Sequence, residues 1–281
     1  MAEARRGFKT KVFASERKKQ PVDRPPPNGE LRLIRYSSPV GELAAYVSHD
    51  PKDGKKHPAI VWMTGGDCNT IDEGCWREGT RGINFLASEY RKNGILTMFP
   101  SLCGGNDNPG LKEGFLGEVD DVLAAADYLS TQPFVDPNRI YLGGHSTGGT
   151  LVLLTAECTE RFRAVFSFGP IEDVVLYGAA MNPFPLSDPQ ELRVRSPQRW
   201  LHSVRSPTFV IEGVKGNREA IQALAKRSKN PKVDFIEVGG ADHFTVLGPA
   251  NEVIAKKVAA DVDQQCNLSF TAEEFEKSRP K

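Results

Sequence analysis

Eight short apolar runs, separated by stretches of helical periodicity, constrain this chain more than any other feature. They fall at residues 31–36, 42–47, 59–63, 95–99, 139–143, 164–168, 208–211 and 233–238. Most are continuous rather than alternating, which is how strands buried on both faces read. The first two are joined by a turn at Pro39–Gly41. Helical spacing appears at 81–93 (Ile83, Leu86, Ala87, Tyr90, ending in Asn93-Gly94), at 118–130 and at 218–228. It returns in a last long helix carrying Ile254, Val258 and Val262. Such alternation predicts an α/β fold: a mostly parallel, eight-stranded sheet with helices on both faces. A chain of 281 residues suits one such domain.

Charge excludes several function classes. Lys plus Arg and Asp plus Glu are 36 each, so no net field favours nucleic acid or an anionic membrane. No apolar run approaches a membrane span. Residues 1–28 form a basic, proline-rich segment without the apolar stretch of a secretory signal, and are expected to be a solvated tail. The five cysteines, Cys68, Cys75, Cys103, Cys158 and Cys266, are an odd count, as expected of free thiols in the cytoplasm. Cys68 and Cys75 lack a second Cys or His pair at zinc spacing.

The chemistry is concentrated after the fifth run. Gly144-His145-Ser146-Thr147-Gly148 follows a buried strand and precedes an apolar helix rich in small residues. That is the context of a nucleophile elbow, a strained strand-to-helix turn that presents a serine hydroxyl above the sheet. The pattern G-x-S-x-G is common by chance; its position between strand and helix is not. An elbow needs donors for an oxyanion. The N–H of Thr147 is one candidate, and Gly66 or Asp67, in the glycine turn after the third strand, supplies the other. Of five histidines, His243 lies between the last strand and the last long helix, where a general base completes the chain order. His145 neighbours the serine and is expected to point elsewhere.

These segments, together with "HPAIVWMTGG", "GEVDDVLAAADYL", "VDPNRIYLGGHSTGG", "RSPQRWLHSVRSPTFVIEG" and "GADHFTVL", resemble the α/β-hydrolase superfamily. Within it, they resemble the catalytic domain of the prolyl oligopeptidase family of serine peptidases. The resemblance spans roughly residues 31–265. It implies a Ser-His-acid hydrolase of ester, amide or peptide bonds, acting on a small ester or short peptide, with no metal or organic cofactor. No β-propeller repeat accompanies the domain, although peptidases of this family usually carry one.

The acid is the departure. The family's position for it falls on Gly216 or Asn217, neither of them acidic. Asn217 offers an amide oxygen but also suits a helix N-cap. Glu212 ends the seventh strand. Glu172 and Asp173 follow the sixth, and Asp173 is the first choice. If none served, the chain would be a slow hydrolase or a ligand-binding protein on a hydrolase fold. Residues 29–268 are thus expected to form the domain, with 170–205 as a small cap and 269–281 as a tail. Arg193, Arg195, Arg199 and Arg205 are candidates for recognising a carboxylate, with plain surface solvation as the alternative.

Overall fold

The computed structural model describes residues 1–13, 20–77 and 87–279. Among them are eight strands: β1 (Leu31–Ser38), β2 (Gly41–Ser48), β3 (His57–Met63), β4 (Leu96–Pro100), β5 (Val135–His145), β6 (Val165–Phe168), β7 (Thr208–Gly213) and β8 (Val233–Val238). The helices among the described residues are α1 (Ala2–Arg5), α2 (Ser88–Lys92), α3 (Gly117–Ser130), α4 (Thr147–Ala156), α5 (Pro189–Arg193), α6 (Arg218–Arg227), α7 (Leu247–Ala260) and α8 (Ala272–Lys277). Each expected strand is found. Residues 81–86 of the expected helix at 81–93 lie outside the described residues.

The strands form one sheet in the order β1-β2-β4-β3-β5-β6-β7-β8. The expectation of a mostly parallel sheet is corrected to a mixed one. β1 pairs with β2, and β2 with β4, antiparallel. The cause is local: the two-residue connection between Ser38 and Gly41 closes a hairpin, which only antiparallel strands permit. From β4 to β8 the pairings are parallel. The chain leaves β3 towards β4 on one side and returns to β5 on the other. That reversal opens a crevice at the carboxyl ends of β3 and β5.

Period-two alternation along β3 divides the core. Ala59, Val61 and Met63 face a cluster that includes Val119, Val122, Leu151 and Leu153 from α3 and α4. Ile60 and Trp62 face the opposite cluster, with Tyr90, Leu247, Ile254 and Val258 from α2 and α7. Because both faces are covered, β3 can be apolar at nearly every position, and each fully buried large side chain contributes about 1.5–3 kcal/mol.

Both ends of the chain dock. Arg5 donates to Leu116 O (2.7 Å) and Asp120 (3.0 Å), and the Phe13 N–H donates to Pro183 O (2.7 Å). Residues 1–13, expected to be part of a solvated tail, thus make specific contacts with the domain while many of their side chains stay exposed. At the other end a capping box at Thr271 and Glu274 starts α8, and Phe275 is fully buried. No helix among the described residues is long and apolar enough to cross a membrane.

Candidate active site

Ser146 stands alone between β5 and α4, with φ 58° and ψ −118°. A non-glycine residue held there costs about 1–3 kcal/mol, and neighbouring structure must enforce it. The Ser146 N–H donates to Phe168 O (2.8 Å), and its carbonyl accepts from Thr150 N (2.9 Å). The turn is also tight on both sides. A Cβ on Gly148 would lie 2.4 Å from Thr64 O, and one on Gly144 would lie 2.7 Å from Gly148 O. A larger residue at 148 would push α4 away from the end of β3, and one at 144 would push α4 away from β5.

The glycine turn after β3 is brought against the start of α4. Gly66 has φ +72°, and its carbonyl accepts from Thr147 Oγ1 at 2.9 Å. Thr147 opens α4, so its N–H has no partner within the helix. A Cβ on Gly65 would lie 3.2 Å from the Ser146 Cβ, which places this turn beside the serine. The three residues expected to provide oxyanion donors, Gly66, Asp67 and Thr147, line one cavity, and Thr147 is joined to Gly66 by a side-chain hydrogen bond. Asp67 is further fixed by Lys112, whose Nζ lies 2.5 Å from each carboxylate oxygen.

His243 follows β8. Its Nδ1 lies 2.8 Å from Oε2 of Glu212, a residue 1% exposed at the end of β7. A carboxylate only accepts, so Nδ1 carries the proton and the neutral ring keeps its lone pair on Nε2. The second Glu212 oxygen accepts from Gly213 N at 2.6 Å. The imidazole is packed from behind by the turn after β6. A Cβ on Gly169 would lie 2.4 Å from its Cε1, and Gly169 directly follows the residue that holds the Ser146 N–H. Serine and histidine therefore border the same turn at the carboxyl edge of the sheet.

His145 adds a contact the sequence did not reveal. Its Nε2–H donates to the His243 carbonyl (2.8 Å), and the two rings lie 4.5 Å apart. Burial, with the neighbouring His243 adding to it, lowers its pKa to about 4. His145 is thus a neutral ring that ties the serine turn to the histidine loop.

The carboxylate beside His243 is that of Glu212, not that of Asp173, the first choice from the sequence. Asp173 caps the 3-10 turn at Val174–Tyr177, where Oδ1 accepts from Val175 N (3.2 Å) and Ser196 Oγ (3.0 Å). Its other oxygen accepts from Gln198 Nε2 at 2.5 Å. Helix-initiating geometry and two side-chain donors hold it there. The Glu172 backbone carbonyl accepts from Gln198 N (3.1 Å), whereas the His243 Nδ1 is taken by Glu212. Asn217 donates through Nδ2 to Gly169 O (3.4 Å) and begins α6. Glu212 has the sequence signal of a carboxylate inside an otherwise apolar strand, where a buried charge needs a partner. Nor is Arg195 a free anion site. It is fully buried and paired with Glu191 at 2.5 Å. Arg193 lies over the Trp200 ring, 5.1 Å from its centroid.

The model of the prolyl oligopeptidase family matches residues 116–255, which contain Ser146, Glu212 and His243. The chain is 26% identical over 213 residues to the uncharacterized peptidase YtmA of Bacillus subtilis, covering 70% of this chain and 79% of that protein. It is 28% identical over 177 residues to feruloyl esterase B of Neurospora crassa, covering 59% and 56%. The structure of a Mycobacterium tuberculosis puromycin-hydrolyzing peptidase superposes with a TM-score of 0.67 at 20% identity. It covers 86% of this chain, which spans only 40% of that longer one. The fold is that of the α/β-hydrolases, the family match and the relatives indicate a serine hydrolase, and the chain resembles the catalytic domain of the prolyl oligopeptidase family.

Proposed function

We propose that this protein hydrolyses small esters or short peptide-like amides through an acyl-enzyme on Ser146. The observation that carries the reading is the 2.8 Å bond between His243 Nδ1 and Glu212 Oε2. It leaves Nε2 as the base at an elbow whose serine is held at positive φ.

In this mechanism Nε2 of His243 takes the Ser146 proton as Oγ attacks the carbonyl carbon. The negative charge that develops on the carbonyl oxygen is met by the N–H of Thr147 and by an N–H from Gly66 or Asp67. The imidazolium is stabilised by Glu212 and returns its proton to the leaving group. Water, deprotonated by the same nitrogen, then releases the acid and restores the serine. A nearly dry carboxylate holds the ring in one tautomer, as the acid does in the serine-protease template.

Relatives support both bond types, one being described as a peptidase and one as an esterase. The five unpaired cysteines favour a reducing compartment, and we place the protein in the cytoplasm. Labelling with an alkyl fluorophosphonate tests the reading. Wild type is expected to label and Ser146→Ala to be silent. Folded wild type that resists the probe would leave a ligand-binding role on the hydrolase fold. Turnover of p-nitrophenyl esters against aminoacyl p-nitroanilides then separates esterase from peptidase.

A further inference from the structure

A cavity of about 640 Å³ opens beside the oxyanion loops, with Gly66, Asp67 and Thr147 in its wall. Its remaining wall is largely apolar, and three of its side chains are left open to solvent: Phe13 (57% exposed), Leu111 (48%) and Met181 (47%). Large apolar side chains left exposed around one mouth mark a place that something apolar fills. The charged residues lining this cavity, Asp67 and Lys112, are bonded to each other, so together they offer no net charge to a ligand.

One wall comes from far away in sequence. Phe13 is carried by the amino-terminal arm, and its N–H is bonded to Pro183 O. The arm is built onto the same segment that supplies Met181 and Pro183. Thr10 Oγ1 donates to Glu191 Oε2 (3.0 Å), Lys11 N donates to Glu191 Oε1 (2.7 Å), and Arg195 Nη2 donates to Thr10 Oγ1 (2.8 Å). The fully buried Glu191–Arg195 pair thus completes its hydrogen bonding through the arm. That is a specific seat, since a buried charge left without those donors is costly.

We infer that the amino-terminal arm is a specificity element: with Phe13 it closes an apolar acyl pocket that selects medium-length or aryl acyl groups over acetyl. The inference rests on the serine hydrolase reading, because the pocket adjoins the oxyanion loops of that site. Phe115, Leu111 and Phe13 line the same cavity as Thr147 and Gly66, so an acyl chain that enters it meets them.

The test compares kcat/KM for p-nitrophenyl hexanoate and p-nitrophenyl acetate in wild type, Phe13→Ala and Leu111→Ala. Each variant is expected to lose roughly tenfold on hexanoate, the scale of discrimination an apolar pocket supplies. Acetate turnover and fluorophosphonate labelling should stay within about twofold. An unchanged hexanoate-to-acetate ratio in both variants, with labelling intact, overturns the pocket and leaves the hydrolase reading standing. Binding of sodium hexanoate by calorimetry gives the converse. Hexanoate that binds wild type and not the variants, in protein that neither labels nor turns over, keeps the pocket and sinks the hydrolase reading. No binding and no turnover overturns both.

Discussion

The Glu212 carboxylate fills the volume that a side chain at Gly216 would occupy: a Cβ there would lie 2.5 Å from Glu212 Oε1 and 2.7 Å from the His243 backbone nitrogen. The acid reaches the histidine from the strand end, and the missing side chain four residues later leaves room for it. Gly216→Ala must therefore displace Glu212 or the His243 loop. Turnover should fall on the order of 10²-fold, the scale for misplacing a catalytic group by about 1 Å. Steady-state kinetics with circular dichroism on the same sample checks that the loss is local.

Glu212→Gln keeps the shape and removes the charge. An amide can donate as well as accept, so the ring is no longer held in the Nδ1–H tautomer. The expected drop in kcat is about 10⁴-fold, as for the equivalent change in the serine-protease template. Asp173→Asn should leave kcat within a fewfold and affect only the turn it caps. Equal kinetic losses in the two variants would contradict the assignment of the acid to Glu212.

His145 gives a pH signature. Its pKa falls from 6.5 unfolded to about 4 folded, mainly through burial. Between these values the unfolded chain binds more protons, so stability rises with pH across the window and is lost as pH falls through it. The contribution is roughly 3 kcal/mol at full extent. Urea midpoints between pH 4 and 7 should therefore rise more steeply in wild type than in His145→Phe. The substitution also removes the bond to the His243 carbonyl, so kcat should fall while fluorophosphonate still reaches Ser146.

Glu157 runs the opposite way. It is 2% exposed, and neither carboxylate oxygen has a partner among the described residues. Burial raises its pKa well above the usual carboxylate value. Because the folded state holds the proton more tightly, stability is lost as pH rises above the unfolded pKa. Glu157→Gln should stabilise the fold by about 1–3 kcal/mol at pH 7, with the gain shrinking towards pH 4. Thermal unfolding at the two pH values is the measurement.

The Glu191–Arg195 pair anchors the arm. Arg195→Ala leaves Glu191 buried without its cation and should cost about 3–5 kcal/mol. Denaturant titration reads that loss.

The sequence by itself determined the strands, the strained turn at Ser146 and the place of His243 after the last strand. Those depend on short-range rules: apolar runs of strand length, glycines two residues either side of Ser146, and a histidine just after the last strand. It favoured Asp173 as acid because a cap and a triad acid look alike in one dimension. Tertiary structure placed Glu212 beside His243 instead, since only folding brings the end of β7 against the loop after β8, where Gly216 leaves the space open. The same holds for the arm. Its charge reads as a solvated tail, but the buried Glu191–Arg195 pair that seats it is assembled from residues nearly two hundred positions away. Local sequence sets which element forms, whereas the partner of a buried polar group is set by what packing brings within about 3 Å of it.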